Sequence, residues 1–186
     1  MEFYHEGMRE LQDRYEGRDV PDRLADNRMR RAFNAEDREC IETSPFFFLS
    51  TAADESVDSS FKGGEPGFVR VTGDNTLAWP DYDGNRMYRS LGNILRNPRV
   101  GLLFVGFDGK TFNNAGRLRI NGHAQIDDRP EAIEGLPGAK RMIRVRAEYI
   151  YTNCPRYIPK LATEKSSVYS PRENYSPPDP DWKSMP

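Results

Sequence analysis

A polar turn near the middle of the chain has the residue types needed to bind a phosphate group. The turn 82–84 follows an apolar strand pattern, and a helical pattern then begins at Asn85 and Arg86. The free amides at a helix N-terminus favour an anion. The guanidinium of Arg86 would add a charge whose two parallel donors suit phosphate oxygens. The segment therefore predicts an anion site at the start of a helix.

Three further polar residues are spaced to join this site. Ser90 and Asn93 would lie on the same side of the helix as Arg86, and Lys62 comes from a glycine-rich turn earlier in the chain. Charged side chains on protein surfaces are usually only solvated. From these residues alone, a phosphate site and an ordinary solvated helix start are therefore both open interpretations.

The elements that would position this site begin with helices. Apolar residues recur at helical spacing at Tyr4, Met8, Leu11 and Tyr15. Gly17 is expected to end that helix, and Pro21 suits the first turn of a second helix. Asn34 is a suitable N-cap for a third helix over residues 36–41. The first 44 residues are thus predicted to form a helical extension.

Strand patterns dominate the following hundred residues. Residues 54–60 are predicted to be a turn-rich link, residues 83–97 a helix capped by Asp83, and Asp108-Gly109 a turn. The hairpin signal at residues 74–75 joins two of the strands. Six strands are predicted, at residues 46–51, 67–71, 76–79, 100–105, 117–126 and 144–151. This pattern favours a predominantly antiparallel β-barrel with added helices.

Two of these strands alternate clearly between apolar and polar residues. In residues 117–126, Leu118 and Ile120 point to one face while Arg117, Arg119 and His123 point to the other. The residues expected on one common side of the strand 144–151 are Val145, Ala147, Tyr149 and Tyr151. Each strand is therefore predicted to bury one face.

Composition excludes several classes of protein. The chain has 186 residues and a net charge of -2, so no basic field indicates nucleic-acid binding. Its two cysteines and two histidines are far apart, which predicts neither a disulfide framework nor a metal site. The chain has no apolar run of about 18 residues that could span a membrane. The polar start is unlike a secretory signal, so we expect a cytoplasmic protein.

Four motifs occur in a fixed order: KGGEPGFVRV, TLAWPDYDGN, SLGNILRNPRVGLLF and RLRINGHA. Together they resemble the FMN-dependent branch of the pyridoxamine-phosphate-oxidase-like family, over roughly residues 1–160. The segments YHEGMRELQDRY and NCPRYIPK resemble one subgroup of that family. The resemblance implies a six-stranded antiparallel split β-barrel at residues 45–161, after the helical extension 1–44 and before a proline-rich tail 162–186.

The resemblance also implies a homodimer with two FMN molecules in clefts between the subunits. Its FMN would lie along the strand end at Trp79, with its phosphate held by Asn85 and Arg86. Arg117 and Arg119 would reach the cofactor from the partner subunit. No catalytic residue is implied. The full set of implied cofactor-binding residues is Lys62, Arg70, Trp79, Pro80, Asp81, Asn85, Arg86, Ser90, Asn93, Arg117 and Arg119.

True pyridoxamine-phosphate oxidases have an Arg-Gln-Val-Arg signature where this chain has Gly116-Arg117-Leu118-Arg119, and their C-terminal substrate-binding residues are replaced by the proline-rich tail. Vitamin B6 oxidation is therefore not expected. The resemblance implies an FMN-dependent oxidoreductase that moves a hydride or electrons from a nicotinamide donor to a small acceptor or oxygen. The alternatives are a deazaflavin-dependent reductase and a non-catalytic flavin or haem module. Haem would need an axial ligand from His5, His123, Cys40, Cys154 or a methionine.

Overall fold

A computed structural model describes residues 3–107, 116–154, 156–161 and 167–180. Within these residues, seven strands form one sheet in the order β2-β1-β5-β6-β7-β4-β3, and every neighbouring pair is antiparallel. The strands are β1 (Phe46–Ala53), β2 (Ser56–Gly63), β3 (Arg70–Val71), β4 (Thr76–Tyr82), β5 (Arg99–Val105), β6 (Arg117–Asp127) and β7 (Ala139–Asn153). The prediction of a mainly antiparallel fold with added helices is confirmed. The predicted turn at Asp108-Gly109 lies outside the described residues.

Three helices precede the sheet, as predicted. They are α1 (Glu6–Tyr15), α2 (Asp19–Arg28) and α3 (Ala35–Thr43). Gly17 follows α1 with a positive φ of 81°, a conformation that glycine adopts without strain. Asn34 caps α3 in a reciprocal box with Asp37, in which the side chain of each residue accepts the other's backbone N–H. A fourth helix, α4 (Arg89–Arg96), lies between β4 and β5.

The sheet has one more strand than the sequence predicted. Residues 54–60 were expected to be a turn-rich link, but most of them belong to β2, which pairs with the whole of β1. Within β2, Asp58, Ser60 and Lys62 are half-buried while the residues between them are exposed. Residues 54–60 have only a weak apolar strand pattern, because β2 directs polar side chains inward. The predicted count of six strands was therefore wrong. The predicted hairpin is confirmed, although β3 is only Arg70–Val71.

A β-bulge between β6 and β7 changes which face of β7 is buried. Asn121 is opposite Tyr149 and Gly122 is opposite Ala147, so Glu148 is the extra residue. Beyond the bulge, Ile150 joins the core, whereas Tyr149 and Tyr151 turn to the other side and contact Phe3. The prediction that both tyrosines share a face with Val145 and Ala147 was wrong, because the extra residue reverses the alternation.

The hydrophobic core lies where the aromatic side chains of β1, β4 and β5 meet. The ring centroid of Phe47 is 5.0 Å from that of Trp79 and 5.2 Å from that of Phe104. All three side chains are almost fully buried. Burying each aromatic side chain stabilises the fold by roughly 1.5–3 kcal/mol. Within the described residues, no helix has the length and apolar character needed to cross a membrane.

Candidate functional site

A polar cavity lies between β2, the end of β4, the loop 83–88 and the start of β7. Its volume is about 470 Å³, which is within the range of small-molecule sites, about 300–1,000 Å³. Seven of the residues predicted from the sequence line this cavity, although they come from four different elements. They are Lys62, Trp79, Pro80, Asp81, Asn85, Arg86 and Ser90. We call this cavity the polar pocket.

Four predicted site residues lie outside the polar pocket. Arg70 is exposed, and its Nε donates to the carbonyl of Gly67 at 3.4 Å. Asn93 is buried on α4, where its Nδ2 donates to Thr51 Oγ1 at 3.1 Å. Asn93 therefore holds α4 against β1 and does not face the polar pocket.

The other two lie on β6, away from the polar pocket of their own chain. Arg117 Nη2 donates to the carbonyl of Cys154 at 2.8 Å. Arg119 is exposed on the same face of β6 and pairs in register with Tyr151. Their contact with a partner's cofactor stays a prediction.

The loop before α4 is not the helix start that the sequence indicated. The helix begins at Arg89, so Asp83 is not its cap and Arg86 is not in its first turn. Arg86 and Tyr88 have positive φ angles of 61° and 50°. The side-chain oxygen of Asn85 accepts the backbone N–H of Met87 at 3.0 Å. Such a local side-chain turn competes with helix formation, which explains the later start.

Ser90 reaches the polar pocket from α4, but its hydroxyl has protein partners. Ser90 Oγ donates to Asp58 Oδ2 at 2.6 Å and is 3.0 Å from Ser60 Oγ. Arg89 Nη2 donates to the carbonyl of Val57 at 3.2 Å. Together these contacts fasten the start of α4 to β2. Ser90 therefore fixes the position of the loop and the helix.

Asp81 brings a partly buried carboxylate to the polar pocket. Burial raises the pKa of Asp81, while the nearby charges of Lys62 and Arg141 act to lower it. Arg141 Nε is 3.5 Å from Asp81 Oδ2, and the two residues are register partners on β4 and β7. The pocket therefore combines Asp81 and two further carboxylates, those of Asp58 and Asp83, with several cations.

Trp79 provides a donor with no acceptor among the described residues. The residue is 1% exposed and lines the polar pocket, and its indole Nε1 has no hydrogen-bond partner in the part of the chain that the structure describes. A buried polar group without a partner usually has a functional explanation, since leaving it unsatisfied costs about 1–3 kcal/mol. The indole is therefore suited to donate to a ligand atom.

Sequence reasoning missed several residues that line the polar pocket. Asp58 and Ser60 share the inward face of β2 with Lys62, and this period of two was a signal available in the sequence. Lys140 and Arg141 lie at the start of β7, before the predicted strand. Nothing in their local sequence indicated that they would reach the pocket.

Among the described residues, the candidate haem ligands lie outside the polar pocket, with one exception. His123 Nδ1 is 3.3 Å from Glu148 Oε1, and His5 caps α1. Cys40 is buried, which raises the pKa of its thiol, and Cys154 is exposed. Of the described histidines, cysteines and methionines, only Met87 lines the polar pocket. No group of three potential metal-ligating side chains occurs in the described parts of the chain.

Comparison with known proteins identifies one family model and several solved structures with low sequence identity to this chain. The family model described as pyridoxamine 5'-phosphate oxidase matches residues 33–166. HupZ from Group A Streptococcus is 14% identical with a TM-score of 0.46, and the match covers 64% of this chain and 94% of HupZ. HutZ, the haem storage protein from Vibrio cholerae, is 14% identical with a TM-score of 0.45 and coverages of 65% and 95%.

An FMN-binding protein from Syntrophomonas wolfei is 12% identical with a TM-score of 0.42, and the match covers 62% of this chain and 82% of that protein. No curated protein matches the sequence. Because these TM-scores are below 0.5, the structural likenesses identify no ligand for this chain.

Proposed function

Because the chain belongs to the pyridoxamine 5'-phosphate oxidase family and has its split-barrel fold, we propose that it binds FMN in the polar pocket. The observation that carries this proposal is the buried indole Nε1 of Trp79, which lines the pocket and has no acceptor among the described residues. An isoalloxazine ring has carbonyl oxygens and ring nitrogens that can accept from such a donor. The ring edge would lie along Trp79, Pro80 and Asp81.

The loop 83–88 and the start of α4 fit the phosphate of FMN. No side chain caps the N-terminus of α4 among the described residues, so its first amides are open to an anion. Neither Lys62 nor Arg86 forms an ion pair with a described residue. In this proposal Arg86 holds the phosphate with two parallel donors, and Lys62 lies nearer the ring or the ribityl chain.

Bound FMN would supply the capacity to accept and release a hydride or single electrons. The residues of this chain bind the cofactor, orient its ring and set the charge around it. Lys62 and Arg141 place positive charge beside Asp81 at the proposed ring edge. The proposed reaction takes a hydride from a nicotinamide donor and passes electrons to a small acceptor or to oxygen. Oxidation of NADH by the flavin-loaded protein, followed at 340 nm, separates this enzyme from a flavin carrier.

The position of Arg117 and Arg119 supports a homodimer. Both lie on the face of β6 opposite the apolar core residues Leu118 and Ile120. In this proposal a second copy with C2 symmetry brings these two arginines toward the first copy's FMN, which makes two equivalent sites. Light scattering should give twice the chain mass of 21.4 kDa. A monomer that binds FMN tightly would contradict this arrangement.

The direct test of the phosphate site is Arg86→Ala. Arg86 is exposed in the structure, so loss of its guanidinium should weaken FMN binding by roughly 1.5–3 kcal/mol, the scale of a hydrogen bond to a charged group. Arg86→Lys should recover only part of the loss, because an ammonium lacks the planar pair of donors. Riboflavin, which has no phosphate, should bind the wild type and Arg86→Ala equally. Flavin fluorescence titration measures all of these affinities.

A matched control is Arg96→Ala. Arg96 is an exposed arginine at the other end of α4, where its Nε is 3.6 Å from Asp54 Oδ2. It should bind both flavins like the wild type. If Arg86→Ala binds FMN as tightly as Arg96→Ala does, the phosphate is not held by Arg86. If neither FMN nor riboflavin binds the wild type at micromolar concentration, the whole assignment fails.

The alternatives make different predictions for the same purified protein. A haem module would give a Soret band, and its only described ligand candidate in the polar pocket is Met87, which is 64% exposed. A deazaflavin-dependent reductase would prefer a cofactor with a longer anionic tail and would bind FMN weakly. A protein that releases a fluorescent flavin of FMN mass on denaturation agrees with our proposal.

A further inference from the structure

A second cavity of about 350 Å³ lies between the N-terminal helices and the end of β7. It shares no lining residue with the polar pocket. Its walls are mainly apolar and aromatic, since Phe3, Tyr4 and Tyr151 meet the aliphatic side chains of Leu24 and Met29. We call it the aromatic pocket.

Defined contacts hold the walls of the aromatic pocket in place. The hydroxyl of Tyr4 donates to the carbonyl of Pro21 at 2.9 Å, which ties the N-terminal segment to α2. Backbone hydrogen bonds of 2.8 and 3.0 Å join Arg30 to Ile150, which ties the segment after α2 to β7. The ring of Phe3 is 5.3 Å from that of Tyr151 in an edge-to-face arrangement. The pocket is therefore formed before any ligand arrives.

A single charge lies in this lining. Arg28, at the end of α2, is the only charged side chain among the described residues that line the aromatic pocket. It is exposed, and no described carboxylate pairs with it. Thr152 and Asn153 add polar groups at the end of β7. The chemistry of the lining thus combines flat apolar walls with one cation at the edge.

We propose that the aromatic pocket is a second ligand site that binds a small flat aromatic carboxylate. The rings of the ligand would lie between Phe3, Tyr151 and Leu24, and its carboxylate would meet the guanidinium of Arg28. The cavity volume matches the lower end of small-molecule sites, about 300 Å³, so the cavity has room for one or two fused rings. This inference does not require that the polar pocket binds FMN.

The two cysteines provide a reporter for this proposal. Cys154 lines the aromatic pocket and is exposed, and its backbone position is fixed by the 2.8 Å hydrogen bond from Arg117. Cys40 is 3% exposed in the core. A small neutral reagent such as iodoacetamide should therefore label Cys154 and leave Cys40 unlabelled in the folded protein. Modification of Cys40 would reveal a variant that has unfolded.

The test follows the labelling rate of Cys154 by mass spectrometry at increasing concentrations of 2-naphthoate, with and without added FMN. Saturating 2-naphthoate should slow labelling at least about five-fold, whether or not FMN is present. Arg28→Ala should raise the half-protecting concentration of 2-naphthoate about five-fold, the effect of about 1 kcal/mol from one exposed charge. It should leave protection by the neutral 2-naphthamide unchanged. Leu24→Ser should weaken protection by both compounds.

Arg23→Ala is the matched control, because Arg23 is an exposed arginine of α2 that does not line the aromatic pocket. It should behave like the wild type. Absence of protection at millimolar 2-naphthoate overturns the proposal, as does protection that Arg28→Ala and Arg23→Ala change equally. Labelling that slows as the protein concentration rises, without any ligand, assigns the surface to a second copy of the chain instead. A protein that binds no FMN but shows the expected protection refutes only the flavin assignment.

Discussion

The strand ladder β5–β6–β7 and the polar pocket differ in how fully their charged side chains are paired. At the end of β6, Asp127 accepts from Arg129 Nε and Nη2, both at 2.8 Å, and from Arg144 Nε at 3.0 Å. In the polar pocket, Asp81 has one arginine at 3.5 Å, and Arg86 has no described partner. Asp127 in the ladder is therefore paired within the fold, whereas some charged side chains of the polar pocket remain available to a ligand.

The two carboxylates show this difference most clearly, because they flank the same end of β7. Asp81 pairs in register with Arg141, and Asp127 pairs with Met142. Burial raises the pKa of Asp81. Hydrogen bonds from Arg129 and Arg144 hold the pKa of Asp127 well below its usual range. A charge cluster whose members are all paired stabilises the fold. A cluster with unpaired members indicates where a ligand binds.

Removing a buried side chain from the ladder should have the largest effect on stability. Ile120 on β6 is 0% exposed, so Ile120→Ala should lower the free energy of unfolding by about 2–5 kcal/mol, because it leaves a cavity. Met87→Ala in the polar pocket is the control, since Met87 is 64% exposed and its loss should change stability by no more than about 0.5 kcal/mol. Urea denaturation measures both. Equal losses would mean that the loop 83–88 is part of the stable core.

Two glycines extend the comparison to the backbone. A Cβ on Gly122 would come within 2.3 Å of the carbonyl oxygen of Arg146 at the bulge, so Gly122→Ala should cost about 1–3 kcal/mol of stability. A Cβ on Gly84 in the loop would meet no atom of the described residues within 4 Å. Gly84→Ala should therefore leave the denaturation midpoint unchanged. A tolerant Gly122 would show that the bulge can shift its register.

The elements that follow a simple period could be predicted from the sequence. The alternation in β6 predicted its buried face correctly, and the capping signal at Asn34 located the start of α3. The bulge at Glu148 could not be predicted, because an extra residue in β7 is defined only by the pairing with β6. Tyr149 and Tyr151 were consequently assigned to the wrong face.

Seven of the eleven predicted site residues line one pocket, although the predicted geometry of the segment was wrong in detail. The pocket residues were predicted from the order of the four family motifs. The predicted helix start rested on the local sequence pattern alone. Asn85 and Arg86 have residue types that suit a helix start, but the side chain of Asn85 closes a turn onto Met87 instead. Lys140 and Arg141 enter the pocket only because β7 pairs with β4, a contact between residues about sixty positions apart.

The smallest expected effect concerns the pH dependence of stability, and its sign differs between the two carboxylates. For Asp127 the folded pKa is lowered, so its stabilisation is present above the unfolded pKa of about 3.9 and is lost as the pH falls below it. Asp127→Asn should therefore be less stable than the wild type at pH 7, and the difference should shrink as the pH falls below 4.

For Asp81 the folded pKa is raised, so the folded state holds its proton more tightly than the unfolded chain does. The wild type should lose a little stability as the pH rises from about 4 through the folded pKa. Asp81→Asn does not titrate, so its stability relative to the wild type should rise over that same window. Urea denaturation of both variants between pH 3 and pH 7 gives the two slopes. Two slopes of the same sign would mean that Asp81 is as fully paired as Asp127.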